Sequence, residues 1–196
     1  TPNGGYAGNA MYFDGIDDVA LVDLSDRQSY APPNTVMFWF KPTGLNRQRQ
    51  VLYEQGNEVF GFNLYAHGNV LYAGSWLRYW GETRLWVNGI HTGQWYHVAL
   101  TLGDPMKLYL NGQLVDSGGA SFVPHALAAI GRAAGGTRDV YDEDKTTQDG
   151  WAFKGLIDEL QVYERPLDGS EVHALYVGTD PVLALPFDDD WVVHGD

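Results

Sequence analysis

Cysteine is absent from this 196-residue chain, so the sequence excludes disulfides, thiolate metal sites and cysteine nucleophiles. Basic residues are few: 12 Lys and Arg stand against 25 Asp and Glu, for a net charge of −13. A surface of that sign repels phosphate backbones, so we expect no nucleic acid partner. Long apolar runs are also missing. No stretch reaches the length of about 18 residues that a membrane-spanning helix needs, so we expect no membrane insertion.

Familiar catalytic motifs are missing as well. The chain contains no Gly-x-Ser-x-Gly elbow and no His-Glu-x-x-His pattern. A retaining glycoside hydrolase needs two carboxylates on one face, whereas Asp158 and Glu159 are adjacent and so point to opposite faces of a strand. Glu54 and Glu58 flank Gly56, which interrupts any strand between them. We therefore expect a protein that is not an enzyme, with a glycoside hydrolase kept as the last alternative.

What the sequence does contain is alternation and tight turns, in a length that suits one domain with a sizeable core. In residues 94–102, Tyr96, Val98 and Leu100 alternate with polar or small residues, which is typical of a strand. Asn111-Gly112 predicts a type I′ hairpin. The predicted strands cover residues 9–14, 19–23, 35–40, 50–55, 58–66, 70–74, 94–102, 106–110, 126–132, 155–164 and 181–188, and the capping box Asp168-x-x-Glu171 predicts one short helix near 169–177. This pattern favours an all-β fold, a two-sheet antiparallel β-sandwich.

Several segments, taken in order, make the chain recognisable. They are Phe13-Asp-Gly-Ile-Asp-Asp-Val, Gly93-Gln-Trp-Tyr-His-Val-Ala-Leu-Thr, Met106-Lys-Leu-Tyr-Leu-Asn-Gly and Phe153-Lys-Gly-Leu-Ile-Asp-Glu-Leu-Gln-Val-Tyr. Together they resemble the laminin-G-like modules of the concanavalin-A-like lectin and glucanase superfamily. The resemblance implies a jelly roll and an extracellular or cell-surface binding module. The absence of cysteine argues against a vertebrate secreted origin, and it fits a cytosolic protein and a bacterial surface protein equally well.

The ends of the chain suggest a piece of a longer protein. The sequence starts at Thr1 without Met, and Leu183-Ala-Leu-Pro-Phe-Asp-Asp-Asp is similar to the strand that opens such a module. We expect one domain over residues 1–196, with residues 181–196 as a candidate opening strand of a following repeat, folded beside the strand at 155–164. Neighbouring domains of the same chain are then expected partners.

Carboxylates form the first candidate site. Asp14, Asp17, Asp18 and Asp158 belong to motifs that lie close together in related modules. Asp158 has the parity of Leu160, which predicts an inward-facing carboxylate that needs hydrogen bonds or a cation. Oxygen ligands at irregular spacing suit Ca²⁺, so Ca²⁺ is the expected cofactor. The alternative is that these side chains cap turns and accept backbone N–H bonds.

The acidic stretch at residues 139–149 gives a second candidate cation site. Asp142 and Asp144, with Asp149, carry carboxylates that would have to converge on the ion. The stretch is not an EF-hand, because the central Gly and the terminal Glu are missing at the required offsets. The alternative is a solvated acidic loop.

Aromatic and arginine residues concentrate in one short region and form the candidate ligand-binding site, which consists of Trp76, Arg78, Tyr79, Trp80, Arg84 and Trp86. Flat Trp and Tyr faces suit sugar rings, and Arg binds hydroxyls or carboxylates. Tyr141 joins this set if its loop folds over the same surface. The alternative is that these rings pack a face of the sandwich, which we expect more of Trp86 than of Trp76 or Trp80.

The function expected from these features is non-catalytic binding of a glycan or a protein, with Ca²⁺ at the rim loops. The alternative is a structural spacer in a tandem array, without its own ligand. A large exposed Trp and Tyr patch would favour binding, whereas complete burial of the cluster would favour the spacer.

Overall fold

Two antiparallel sheets pack face to face in the computed structural model, which describes residues 6, 8–23, 34–45, 48–77, 81–120, 127–138, 146–147 and 150–178. The strands are β1 (Met11–Asp14), β2 (Ala20–Val22), β3 (Thr35–Pro42), β4 (Arg49–Gly56), β5 (Phe60–His67), β6 (Val70–Leu77), β7 (Gly81–Asn88), β8 (Tyr96–Thr101), β9 (Met106–Leu110), β10 (Gln113–Gly118), β11 (Ala128–Ile130), β12 (Thr137–Arg138), β13 (Thr146–Thr147) and β14 (Lys154–Tyr163). One helix, α1 (Gly169–Tyr176), is present among the described residues.

Sheet A has the strand order β1-β14-β3-β8-β9-β10, and sheet B has the order β2-β11-β4-β5-β6-β7. The short strands β12 and β13 form a separate ribbon. This arrangement is the predicted jelly-roll sandwich. Strand β7 went unpredicted as an element, and β12 lies in a region where the sequence shows no apolar period.

The core lies between the inner faces of the two sheets. Val36, Phe38 and Phe40 of β3 and Val98 and Leu100 of β8 are buried within it, as their alternation predicts. Each such side chain contributes about 1.5 to 3 kcal/mol of burial free energy. The hydrophobic effect therefore selects the face that each of these strands turns inward.

The predicted hairpin between β9 and β10 is confirmed. Asn111 and Gly112 both have positive φ, of 50° and 73°, and Leu110 pairs with Gln113 across the turn. This is the backbone that a two-residue type I′ loop requires.

The predicted capping box at the start of α1 is also present. Asp168 Oδ1 accepts the N–H groups of Ser170 and Glu171, and Glu171 Oε2 accepts the N–H of Asp168 at 2.9 Å. Val172 anchors the helix on the outer face of sheet A, against Met37. Among the described residues, no helix has the length and apolar character needed to cross a bilayer.

Strand β14 carries a bulge that overturns the predicted direction of Asp158. The register with β3 shifts between Asp158 and Gln161, and Glu159 has φ of 52°. Ile157 and Leu160 both reach the core, although they are three residues apart. Asp158 pairs with Trp39 and lies on the outer face of sheet A. The inward prediction was wrong because simple alternation fails across a bulge.

The predicted strand at 181–188 and the proposed relation of residues 181–196 to a following repeat lie outside the described residues.

Candidate binding face and carboxylate cluster

A row of aromatic side chains crosses the outer face of sheet B. Trp86 of β7 is directly opposite Tyr72 of β6, and Tyr72 is directly opposite Tyr65 of β5. The rings of Tyr65 and Tyr72 are stacked, with centroids 5.1 Å apart and an interplanar angle of 14°. Trp86 is 49% exposed at the end of this row. Directly opposite residues share a face, and because Tyr65 is fully buried, the part of the row that reaches solvent is Trp86 with the partly buried Tyr72.

Arg84 lies two residues before Trp86 on the same face of β7. Its Nε donates to Glu82 Oε1, which forms an ion pair with the guanidinium, and its side chain is 36% exposed. The residue opposite Arg84 on β6 is Gly74, which has no side chain to cover it. The guanidinium is thus held beside the aromatic row while part of it still reaches solvent.

The backbone of Trp86 also connects the two sheets. Its N–H donates to the Asp116 Oδ2 of β10 at 3.0 Å. β7 is the last strand of sheet B and β10 the last strand of sheet A. This hydrogen bond fixes the position of the strand that carries Arg84 and Trp86.

Trp76 occupies the same face of sheet B but is fully buried. Its Nε1 donates to the Asn57 carbonyl at 2.9 Å, and its ring packs with Tyr65 and Ala133. Ala133 belongs to residues 133–138, which cross over this half of the face and are called the covering segment below. Trp76 as a ligand contact and the expected greater burial of Trp86 are both wrong, because the covering segment reaches one Trp and not the other.

Asp14, Asp17 and Asp18 come together in the turn between β1 and β2. One carboxylate oxygen from each lies within 4.8 Å of the others. Asp18 Oδ2 accepts the N–H of Asp14 at 2.8 Å, and Asp14 Oδ1 accepts the N–H of Ile16 at 2.7 Å. Turn capping therefore occupies one oxygen of Asp14 and one of Asp18. Asp17 is exposed.

Asp158 does not join that cluster. It is 2% exposed, four residues along β14 from Lys154, the residue opposite Asp14. Asp158 Oδ2 accepts the N–H of Tyr6 at 2.8 Å, and Oδ1 accepts the N–H of Glu159 at 2.9 Å. Grouping Asp158 with the rim carboxylates was therefore incorrect, and hydrogen bonds account for its burial.

Glu54 is a notable residue that sequence reasoning missed as a site in its own right. It is 1% exposed on the outer face of sheet B. Its Oε1 accepts the N–H groups of Ala134 and Gly135, each at 3.0 Å. Burial raises the pKa of Glu54 to about 7, partly offset by these two hydrogen bonds. Its position within the apolar run Val51-Leu-Tyr-Glu is the signal that identifies a buried carboxyl.

The remaining predicted site residues lie outside the described parts of the chain. These are Arg78, Tyr79 and Trp80 of the aromatic set, and Tyr141, Asp142 and Asp144 of the acidic stretch. Their roles stay predictions.

The chain belongs to the concanavalin A-like lectin/glucanase superfamily, because the Laminin_G_3 family model of that description matches residues 13–173. No curated protein sequence matches it.

Solved structures share the fold at low sequence identity. The receptor-binding domain of botulinum neurotoxin D has a TM-score of 0.66 and 17% identity over 91% of this chain and 45% of its own. A heptameric SAP-like pentraxin from Limulus polyphemus has a TM-score of 0.58 and 15% identity over 98% of this chain and 89% of its own. A structure of botulinum neurotoxin type C, which depends on two ganglioside molecules to enter cells, has a TM-score of 0.59 and 13% identity over 91% and 48% of the two chains. This chain thus spans a little under half of the toxin chains.

Proposed function

We propose that this protein is a non-catalytic glycan-binding module whose contact surface is the aromatic row on sheet B. The observation that carries the proposal is the half-exposed Trp86, aligned with Tyr72 and flanked by Arg84. An aromatic face presents a flat apolar area to the C–H face of a sugar, and a guanidinium binds hydroxyl or carboxylate oxygens.

The similar structures support binding without defining the ligand. One is a toxin receptor-binding domain, and another belongs to a toxin that interacts with gangliosides. Gangliosides carry acidic sugars, whose carboxylates suit an arginine on an otherwise acidic protein. A sialylated glycan is therefore the ligand class that we place first. We also propose an extracellular or cell-surface setting, supported by the family and by these binding domains.

We propose Ca²⁺ as a second component, held by Asp14, Asp17 and Asp18. Three carboxylates within 4.8 Å supply the hard oxygen ligands that Ca²⁺ prefers. Asp17, the exposed member, has its carboxylate available beside the two turn-capping residues. Bound Ca²⁺ would neutralise their mutual repulsion and stiffen the turn between β1 and β2. In this proposal the ion stabilises the rim and the aromatic row makes the ligand contact.

Glycan binding is tested by titrating the full chain with sialyllactose and with lactose, following intrinsic tryptophan fluorescence. We expect Trp86→Ala to weaken binding about tenfold, which corresponds to the loss of one aromatic contact worth about 1.4 kcal/mol. The matched control is Trp95→Ala, which removes a partly exposed Trp near sheet A, beside Lys41 and Tyr6. The proposal fails if neither sugar binds in the presence of Ca²⁺, or if both variants bind equally well.

Burial of Trp76 favours a second candidate, the structural spacer, because it removes one predicted contact from the binding surface. A spacer would bind neither sugar, and Trp86→Ala would then leave every measured property of the chain unchanged. The same titrations therefore separate the two functions.

A further inference from the structure

Two buried oxygens without a donor occur at neighbouring positions under the covering segment. Glu54 and Asn63 are directly opposite on β4 and β5, with exposures of 1% and 0%. Glu54 Oε2 and Asn63 Oδ1 accept no hydrogen bond from the described residues. Buried polar atoms are nearly always hydrogen-bonded, so this pair requires an explanation.

The other end of each side chain fixes its orientation. Asn63 Nδ2 donates to Thr137 Oγ1 at 2.8 Å and to the Arg138 carbonyl at 2.7 Å. A carbonyl can only accept, so the amide must present its nitrogen to the covering segment. Glu54 Oε1 is occupied by the two N–H groups of the same segment. The two remaining oxygens belong to side chains whose Cβ atoms lie about 4.5 to 5.5 Å apart in such a pair.

Two unpaired acceptors on directly opposite side chains repel each other when they face one another, unless a hydrogen lies between them. We propose that Glu54 is protonated at Oε2 and donates this hydrogen to Asn63 Oδ1. This single proton stabilises the packing of the covering segment against sheet B. The proton satisfies both oxygens at once and adds no charge to the buried site. It also keeps Asn63 in the orientation that bonds Arg138.

Loss of the proton to water reverses this arrangement. The Glu54 carboxylate then needs a donor at Oε2. Asn63 Nδ2, on the residue directly opposite, becomes that donor when the amide rotates by half a turn. That turn places Asn63 Oδ1 against the Arg138 carbonyl, where two acceptors meet. The hydrogen bond to Arg138 is lost, and the covering segment opens more readily over Trp76.

The electrostatic surroundings agree with a neutral Glu54. Charged side chains on neighbouring elements are Arg84 and Glu82 of β7, which pair with each other, Arg132 just before the covering segment, and Arg138 at its end. None of these, among the described residues, sets the pKa of Glu54. Burial raises it, and the two backbone hydrogen bonds oppose the rise. Ala129 of β11 and Asn63 of β5, the residues directly opposite Glu54, carry no charge.

The test is hydrogen–deuterium exchange of the full chain between about pH 5 and pH 8, read at the amides of Ala134 and Gly135. After correction for intrinsic exchange, the opening equilibrium constant should rise about tenfold per pH unit up to about pH 7 and then level off. Opening exposes Glu54 to water and lowers its pKa, which couples the two events. An opening constant that does not change with pH overturns the proposal.

Glu54→Gln supplies the decisive variant, because its amide N–H replaces the proton permanently. We expect its covering segment to stay protected equally at every pH. The control Glu164→Gln makes the same substitution at an exposed residue that follows β14, and should keep the wild-type slope. If Glu54→Gln retains that slope as well, the proton lies elsewhere and the proposal is wrong.

A second measurement uses only the wild-type chain, so its result does not depend on whether a variant folds. Infrared spectroscopy of the wild-type chain should show a protonated carboxyl band that disappears as the pH rises through about 7. Absence of that band at pH 5 would also refute the shared proton. None of these readouts involves a glycan or Ca²⁺, so they stand or fall separately from the proposed function.

Discussion

Trp76 and Trp86 lie on the same outer face of adjoining strands, yet Trp76 is fully buried and Trp86 is 49% exposed. The covering segment packs over Trp76 through Ala133, whereas Trp86 lies on the last strand of sheet B. Trp76 therefore has a structural role, whereas a ligand-contact role is proposed for Trp86 alone. A substitution of Trp76 should therefore reduce stability, whereas a substitution of Trp86 should leave stability nearly unchanged.

Trp76→Ala should lower the free energy of unfolding by about 3 to 5 kcal/mol, because it leaves a large cavity and removes one of the two hydrogen bonds that the Asn57 carbonyl accepts. Trp86→Ala should change that free energy by no more than about 0.5 kcal/mol, since its ring is half exposed. Urea denaturation at one pH measures both values. Equal losses in the two variants would contradict the assigned burial.

Glu54→Gln should alter how the stability of the whole chain depends on pH. Glu54 is neutral up to about pH 7 when folded but ionises near 4.5 when unfolded, so the unfolded chain binds fewer protons between these values. Its contribution is complete below pH 4.5 and falls by about 1.4 kcal/mol per pH unit up to about pH 7. Denaturation across this window should show the decline in the wild-type chain relative to Glu54→Gln.

Ionisation of His97 should make the stability of the chain increase with pH, opposite to the effect of Glu54. Burial on the outer face of sheet A lowers the pKa of His97 to about 4, from 6.5, so the unfolded chain binds more protons between these values. Its contribution to stability therefore increases by about 1.4 kcal/mol per pH unit from about pH 4 to 6.5. His97→Phe should remove that increase, and the same denaturation series would show it. A curve of unchanged shape would mean that His97 titrates freely.

The opposite effects of Glu54 and His97 on the free energy of unfolding should nearly cancel between about pH 4.5 and 6.5. Their joint contribution to wild-type stability is then almost flat in that window, while each single variant reveals the slope of the other. The double variant should lose both slopes. This comparison checks the sign of each slope of unfolding free energy against pH, independently of its magnitude.

Asp17→Asn should weaken the proposed Ca²⁺ site without removing the hydrogen bonds that Asp14 and Asp18 make in the turn. Binding to the folded state alone adds about 2.7 kcal/mol at a hundredfold excess over Kd, which raises Tm by several degrees. We expect that rise when CaCl₂ replaces EDTA in the wild-type chain and in the control Asp23→Asn, and a smaller rise in Asp17→Asn. Identical Tm values with CaCl₂ and EDTA, in a chain purified free of metal, would rule out the site.

The sequence predicts the parts of this fold that local chemistry determines. Alternation places Val98 and Leu100 in the core, positive φ residues form the turn at Asn111, and the capping box starts α1 at Asp168. Asp14, Asp17 and Asp18 come together within one short motif, whereas the expected closeness of Asp158 to them is not observed.

Features that depend on distant parts of the chain escape such reasoning. Nothing local to Trp76 indicates that Ala133 will cover it. The bulge after Asp158 changes which residues of β14 face the core, and the sequence of this strand alone does not predict the bulge. The paired orphan oxygens of Glu54 and Asn63 become visible only when β4 lies beside β5.

The hydrogen bond from Trp86 to Asp116 has a consequence for how the molecule behaves among its own copies. Unpaired strand edges attract further strands, and among the described strands β7 and β10 lie at the ends of their sheets. Asp116 occupies one outward N–H of β7, while β10 itself is irregular between Leu114 and Asp116. Both features interrupt the ladder of hydrogen bonds that a second copy would need, so they oppose strand pairing between copies at the edge beside the aromatic row.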